Sequence, residues 1–455
     1  MRRLGLPLFT ALLPALFAAS FTGCAASSSH SSHRGAAEMA APGAPMAGPS
    51  FDGAMAADAE AGGAADMAAP AIAKAAEAKT VARDDGYDRS LRAGTLTAGT
   101  FDDTLNPATL QAFARTLLDS DWTHEVASAI RGPLTVVKVV DADGAPLADV
   151  GVTIESQQRP TKTLRSGTDG RVVILGGWDL GGEAGDEVMV SAAGEHAMVK
   201  LGSDEARIVV KDRRAKPVRA LDLALVIDAT GSMGDELEYL KVELASIVGA
   251  IERAYPEVDQ RYALVVYRDQ GDAYVTRHFD FVSNLGRFER TLGRQHANGG
   301  GDYPEAMDKA LIDASGLRWR DHGARTLFLV ADAPPHPEAM GATLGALEEL
   351  RGQGVAIYPV AASGVATEAE AVMRAAAAMS GGEYIFLTDD SGVGNSHAEP
   401  HIPCYKVLSL RDAMLRAIES ELAGQRLEAA PNGTIRTVGQ GQGGVCQTSK
   451  PQLAG

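Results

Sequence analysis

The most constraining feature of this chain is the alternation of nearly continuous apolar runs with amphipathic helical patterns between about residues 220 and 430. Residues 221–227 are almost wholly apolar, as expected for a strand that is buried on both faces. Apolar side chains then recur at helical spacing through 237–251. Further strand-like runs lie at 262–267, 275–281, 326–331, 355–360 and 384–387. The pattern predicts an α/β fold with a doubly wound, mostly parallel, Rossmann-like sheet, which binds ligands beyond the carboxyl ends of its strands.

Oxygen-bearing side chains follow three of these segments. Asp228, Thr230 and Ser232 come directly after the first strand, Asp302 follows three consecutive glycines, and Asp332 follows the strand at 326–331. Carboxylates gathered at one sheet edge repel each other unless a cation neutralises them. Because these ligands are all hard oxygens, we expect a divalent Mg, Mn or Ca ion. The alternative is that the same residues are ordinary helix caps and turn residues.

Asp-x-Thr-x-Ser after a buried strand, followed in order by Gly-Gly-Gly-Asp and Val-Ala-Asp, resembles the von Willebrand factor type A (VWA) domain with its metal-ion-dependent adhesion site. The resemblance covers residues 219–428. It implies a non-catalytic domain that binds a protein ligand through the metal, with a carboxylate of the partner completing the coordination. Many family members have a Thr in the second loop, where we place Asp302 instead. By resemblance the metal ligands are Asp228, Thr230, Ser232, Asp302 and Asp332.

A rival hypothesis is a metal-dependent hydrolase or phosphatase that uses the same carboxylates. The first loop lacks the second acid of an Asp-x-Asp phosphatase pattern. The chain also has no Gly-x-Ser-x-Gly elbow at this position and no phosphate-binding loop. We therefore expect a binding protein and not an enzyme.

The N-terminus has the layout of an export signal. A basic start, Arg2-Arg3, precedes an apolar stretch, and Gly23 precedes Cys24 as in a bacterial lipoprotein cleavage box. We expect a lipoprotein signal peptide at 1–23, acylation of Cys24 and a lipid-anchored protein of the cell envelope, the alternative being an ordinary cleaved signal peptide. Residues 24–86 are rich in Ala, Gly and Pro and predict a disordered tether. The net charge of −17 argues against a nucleic-acid partner.

Two segments precede the α/β region. Residues 87–131 contain one clear helical pattern, at 107–118, and predict a short helical docking segment. Residues 132–212 show short alternating strands separated by turn pairs such as Asp143-Gly144, and predict a small all-β sandwich. The stretch 140–150 with the later Thr168-Asp169-Gly170-Arg171 resembles the carboxypeptidase regulatory-like domain, which implies a structural module.

The remaining cysteines lie near the C-terminus. Cys404 and Cys446 are separated by 41 residues, and in an exported protein a disulfide is the default expectation. It would hold the C-terminal tail, 429–455. The alternative is a zinc site formed by His397, His401 and Cys404, whose spacing is four and three.

Overall fold

The structure is a computed structural model that describes residues 91–156, 159–203, 205–393 and 397–447. The expected signal peptide, Cys24 and the tether lie outside the described residues. No helix within the described ranges is long and apolar enough to cross a bilayer.

The described chain begins with one strand and two helices. In α1, Pro107 occupies the first turn, where its missing N–H is not needed, and Leu110 and Phe113 are buried on one face. The elements are β1 (Thr97–Phe101), α1 (Pro107–Thr116) and α2 (His124–Ile130).

Seven strands then form two sheets over one core. The sheets have the orders β5-β2-β8 and β4-β3-β6-β7. Alternate apolar side chains of both, such as Val139, Val152 and Val190, belong to one buried cluster, which makes the unit a β-sandwich. Its elements are β2 (Leu134–Asp141), β3 (Gly151–Glu155), β4 (Lys162–Arg165), β5 (Arg171–Leu175), a π-helical turn (Gly176–Leu180), β6 (Glu187–Ala192), β7 (Glu195–Lys200) and β8 (Glu205–Val210).

Strands and helices alternate in the remainder. The helices are α3 (Gly234–Ala254), α4 (Leu285–Gly293), α5 (Met307–Ser315), α6 (Met340–Gly352), α7 (Thr367–Ser380) and α8 (Leu410–Ala423). The strands are β9 (Ala220–Asp228), β10 (Asp259–Tyr267), β11 (Thr276–Val282), β12 (Ala324–Ala331), β13 (Ala356–Ala361), β14 (Tyr384–Thr388), β15 (Tyr405–Ser409), β16 (Arg436–Val438), β17 (Gly441–Gln442) and β18 (Val445–Cys446). Single 3-10 turns lie at Gly231–Met233, Pro337–Ala339, Asp389–Ser391 and Pro431–Gly433.

Strands β9 to β16 and β1 form a nine-stranded sheet with the order β11-β10-β9-β12-β13-β14-β1-β15-β16, and β17 pairs with β18 separately. Neighbours from β10 to β14 pair in parallel. All nine residues of β9 are buried, as its apolar sequence predicted. The α/β fold with a mostly parallel sheet is confirmed, and the carboxyl ends of β9 and β12 lie side by side.

The assignment of residues 87–131 as a helical docking segment is incomplete. Its strand β1 is inserted into the large sheet, antiparallel to both β14 and β15. Gly99 makes this insertion possible, because a Cβ there would lie 2.3 Å from the ring of Phe386. Helices α1 and α2 contribute to the same buried cluster as α6 and α7. The segment is therefore part of the α/β unit and not an appendage.

The C-terminal segment also belongs to this unit. Strand β16 extends the sheet beside β15, and a disulfide joins Cys404 to Cys446. A disulfide sulfur is not a thiolate ligand, so the zinc alternative loses its cysteine. His401 instead contacts Glu370, at 2.8 Å, and His397 contacts Asp389, also at 2.8 Å.

A buried ion pair joins the sandwich to the α/β unit. Asp179, in the π-helical turn, accepts hydrogen bonds from Arg351 of α6 at 2.8 and 2.7 Å and from Lys162 at 2.7 Å. Apolar residues of the sandwich, including Val173 and Leu175, share one buried cluster with α6. The two units therefore have a continuous core across their interface.

Candidate metal centre

The first loop of the site starts where β9 ends. The backbone N–H and the hydroxyl of Thr230 both donate to Oδ1 of Asp228, at 2.9 and 2.7 Å. The hydroxyls of Thr230 and Ser232 are 3.1 Å apart. Neither side chain caps the 3-10 turn or helix α3 through a hydrogen bond in the described structure. The alternative that these residues are ordinary helix caps is therefore not supported.

The third loop places Asp332 against the first. Asp332 follows β12, is buried, and lies within hydrogen-bonding reach of Ser232 and Asp228. The parallel pairing of β9 with β12 brings these residues together, since both loops leave the same edge of the sheet. Four of the five ligands expected from the sequence therefore meet at one point.

The fifth predicted ligand, Asp302, does not join them. Its side chain is exposed, whereas Glu305, three residues later, is 3% exposed and faces the first loop. A Cβ added to Gly300 would lie 2.8 Å from Oε1 of Glu305 and 3.3 Å from Cβ of Thr230. Glu305, and not Asp302, is therefore the acid of the second loop that is buried against the first loop.

The reason lies in the path of the backbone after the glycines. Glu305 forms a parallel bridge with Pro335, and its N–H donates to the carbonyl of Pro334 at 3.0 Å. This contact ties the second loop to the third and turns Glu305 inward. The sequence carries one signal of it, because Glu305 directly precedes the apolar pair Ala306-Met307 that begins α5. We call Asp228, Thr230, Ser232, Glu305 and Asp332 the acidic rim.

Two further acids hold the glycine loop in place. Oδ2 of Asp272 accepts from the N–H of Gly300 at 2.9 Å and from that of Asp269 at 3.1 Å. Asp269 in turn contacts Nε2 of His336 at 2.7 Å. Gly299, with a φ of +82°, must be glycine, because a Cβ there would lie 2.3 Å from the Asp272 carboxylate. No local pattern in the sequence indicates Asp272, which follows no buried strand directly.

Burial and mutual repulsion raise the pKa values of the rim acids. Burial, followed by the charge of Asp332, raises the pKa of Asp228 although Thr230 donates to it. Burial also raises the pKa of Asp332, against a hydrogen bond from Ser232. For Glu305, burial and the neighbouring charges of Asp228, Asp269 and Asp332 raise the pKa to about 9. Without a cation the rim therefore retains protons near neutral pH.

Residues 222–389 match the family model of the von Willebrand factor A domain. These residues form a VWA domain. The chain is 37% identical over 116 residues to a putative ariadne-like RING finger protein of Acanthamoeba polyphaga mimivirus, covering 26% of this chain and 11% of that protein. It is 27% identical over 140 residues to the alpha-protein kinase vwkA of Dictyostelium discoideum, covering 30% and 22% of the two chains. The conserved hypothetical protein BatB from Bacteroides thetaiotaomicron covers 45% of this chain and 99% of its own, at 13% identity and a TM-score of 0.33.

This chain therefore spans 11% and 22% of the lengths of these two curated relatives.

The rim of the VWA domain fits a divalent cation. In the part of the chain that the structure describes, three buried rim oxygens have no hydrogen-bond partner, namely Oδ2 of Asp228, Oε2 of Glu305 and Oδ1 of Asp332. Buried oxygens without partners cost free energy, which a hard cation would offset. No group of three or more His, Cys, Asp or Glu in the described ranges is arranged as a metal site by itself. An ion held here would therefore depend on the hydroxyls of Thr230 and Ser232 as well.

We expect the stabilisation of the protein by Mg²⁺ to increase with pH. An acid with a raised pKa in the folded state binds more protons when folded, so the metal-free protein loses stability as pH rises from about 4 towards the folded pKa values. Mg²⁺ removes that cost, and each proton that it displaces changes its apparent affinity by up to about tenfold per pH unit. Thermal melts with Mg²⁺ or EDTA at pH 6, 7 and 8 measure this. A shift in Tm that is independent of pH would contradict it.

Proposed function

We propose that this protein is a lipid-anchored protein of the cell envelope that binds a protein partner through a divalent ion held by its VWA domain. The observation that carries the proposal is the group of partnerless, buried carboxylate oxygens at the acidic rim. A cation bound by Asp228, Asp332 and the two hydroxyls, with Glu305 beside them, would retain Lewis acidity towards an added oxygen. A carboxylate of the partner is the ligand that suits such an ion.

A non-catalytic role is supported by the contacts of His397. Nε2 of His397 is 3.1 Å from Oγ of Ser363, and its Nδ1 is 2.8 Å from Asp389, an order reminiscent of a Ser-His-Asp hydrolase. Glu236, however, also contacts Nε2 of His397 at 3.3 Å and accepts hydrogen bonds from Ser363. Burial lowers the pKa of His397, but its bonds to Glu236 and Asp389 outweigh this and raise the pKa. A histidine between two carboxylates, one of which also accepts from the serine, is poorly placed to act as a general base for that serine.

Replacing Asp228 by Ala should abolish metal-dependent recovery of the partner. Full-length wild-type and D228A protein would be used as baits in envelope extracts, each with Mg²⁺ or with EDTA, and recovered proteins compared. We expect at least about a tenfold loss of metal-dependent partners, because D228A removes a central charged ligand. The Tm without metal should not fall, since the substitution also removes a buried, repelled carboxylate.

Three other outcomes would redirect the proposal. Unchanged partners would contradict binding through the metal. Loss of stability alone, with partners retained, would indicate that the metal only holds the loops together. Turnover of a phosphate or carboxylic ester, abolished in D228A, would favour the hydrolase alternative.

The anchor has its own test. Expression with a radiolabelled or alkyne-tagged palmitate should label the wild-type chain, and Cys24→Ser should abolish the label and release the protein from the membrane fraction. Replacing another cysteine is not a suitable control here, because Cys404 and Cys446 form the disulfide. Gly35→Ser, which lies in the same segment outside the signal, provides one. Labelling that survives C24S would contradict lipidation at this residue.

A further inference from the structure

Two aromatic side chains stand beside the acidic rim. Tyr303 lies in the second loop between Asp302 and Glu305, and Trp122 lies in the connection between α1 and α2. Their ring centroids are 6.3 Å apart, with the planes inclined by 68°. We call this pair the aromatic wall.

Tyr303 is fixed to the loop that follows β13 and remains accessible. Its hydroxyl accepts from the N–H of Ala366 at 2.8 Å, yet the residue is 37% exposed. The phenol ring therefore lies in the second loop, two residues before Glu305 of the acidic rim.

Trp122 is held against the third loop. Its Nε1–H donates to the carbonyl of Pro335 at 3.2 Å, three residues after Asp332 and directly at the bridge to Glu305. The residue is half-buried and packs partly on the main core. It comes from the segment that adds β1 to the sheet, outside residues 222–389 that match the family model. The aromatic wall is therefore built partly by a segment that the VWA match does not include.

We infer that the aromatic wall is a second contact surface for the partner and receives an apolar side chain adjacent to the carboxylate that binds the metal. This inference rests on the proposed function and specifies its ligand as an exposed Asp or Glu with a Phe, Leu or similar residue next to it in the chain. The wall's polar atoms are satisfied by backbone groups, which leaves the ring faces for apolar contact. Covering the rings would also exclude water from one side of the ion and strengthen its bond to the carboxylate.

The acidic residues near the aromatic wall further limit which partner segments can bind there. Asp302 is exposed beside Tyr303, and Glu368 lies two residues after Ala366, whose N–H donates to the Tyr303 hydroxyl. A second acid in the partner segment would be repelled there. We therefore expect a single carboxylate in the bound segment.

Acetylated and amidated tetrapeptides test this directly. Binding to the full-length protein with saturating Mn²⁺ would be measured by calorimetry for glycine–phenylalanine–aspartate–glycine, for glycine–aspartate–phenylalanine–glycine, and for a peptide with glycine in place of phenylalanine. We expect one of the aromatic peptides to bind about tenfold more tightly than the glycine peptide. An asparagine analogue should not bind.

The variants are Tyr303→Ala and Trp122→Ala, with Phe279→Ala as the matched control. Phe279 is 38% exposed on β11, almost the same as Tyr303 at 37%, and is not part of the wall. Tyr303→Ala should reduce the preference for phenylalanine to less than about threefold and leave binding of the glycine peptide and the Mn²⁺-induced Tm shift unchanged. Trp122→Ala should also reduce the preference for phenylalanine, provided that its metal-free Tm shows a folded protein. If Trp122→Ala does not fold, the result for Tyr303→Ala alone decides whether the aromatic wall contacts the peptide.

The outcomes separate this inference from the proposed function. Equal affinity of the phenylalanine and glycine peptides, or a preference that survives Tyr303→Ala, overturns the aromatic wall and leaves metal-mediated binding intact. A preference lost equally in Phe279→Ala also overturns it. If Mn²⁺ stabilises the protein but neither aspartate peptide binds, the proposed recognition of a carboxylate fails, and this inference fails with it.

Discussion

Replacing Glu305 by Gln is expected to remove the response of the protein to Mg²⁺, whereas replacing Asp302 by Asn should leave it nearly unchanged. The two acids are three residues apart in one loop, but only Glu305 is buried against Thr230 and the rim. Loss of a residue that only hydrogen-bonds to a metal ligand weakens metal affinity by about 10–100-fold. Loss of a charged group at the ion should therefore weaken the affinity at least as much. Titration calorimetry with Mg²⁺ and metal-dependent Tm shifts measure the effect.

The metal-free state provides the control for folding. Glu305 carries a pKa raised to about 9, so at neutral pH it is mostly protonated and Gln reproduces its shape and polarity. We therefore expect E305Q without metal to melt at or above the wild-type temperature. The opposite pattern, in which D302N loses Mg²⁺ binding and E305Q retains it, would restore the assignment made from the sequence.

Asp179→Ala is expected to produce the largest loss of stability. Asp179 is fully buried between Arg351 and Lys162, and its removal leaves Arg351, with 4% of its side chain exposed, without its main counter-charge. Breaking a buried ion pair on one side typically costs about 3–5 kcal/mol. Urea denaturation followed by circular dichroism measures this, and we expect the interface between the sandwich and the VWA domain to fail first.

Asp143→Ala is the matched control, because Asp143 pairs with Arg214 in the same sandwich but has 77% of its side chain exposed. An exposed pair contributes at most about 1 kcal/mol. The double variant Asp179→Leu with Arg351→Met removes both charges and should recover most of the stability. A loss below about 1 kcal/mol for D179A would contradict a structural role for this pair.

The stabilisation by the Asp179–Arg351 pair should persist in mild acid. Burial alone would raise the pKa of Asp179, but Arg351 and Lys162 lower it to about 2, below its ordinary value of 3.8. A depressed pKa contributes stability that is complete above about pH 4 and is lost only as pH falls towards 2. The difference in unfolding free energy between wild type and D179A should therefore stay constant from pH 7 to about pH 5 and shrink below pH 4.

Local patterns in the sequence were sufficient for the general fold and for most of the site. The apolar run at 221–227 indicated a strand buried on both faces, and the parallel sheet that follows from such strands places the residues after β9 and β12 at one edge. Asp228, Thr230, Ser232 and Asp332 could therefore be assigned together without any structure. Asp228 ends β9, Thr230 and Ser232 follow it within four residues, and Asp332 directly follows β12, so their positions follow from the two strands.

Tertiary contacts decided the remaining features, which lie away from strand ends or have distant partners. Glu305 faces inward because its backbone bridges to Pro335. Strand β1 forms because it fills the gap between β14 and β15, both of which lie much further along the chain. Trp122, from the segment that contains β1, contacts Pro335 of the third loop. Hydrophobic periodicity reports which face of a segment is buried, whereas the choice of a distant neighbour depends on how the whole core closes, and no local pattern contains that information.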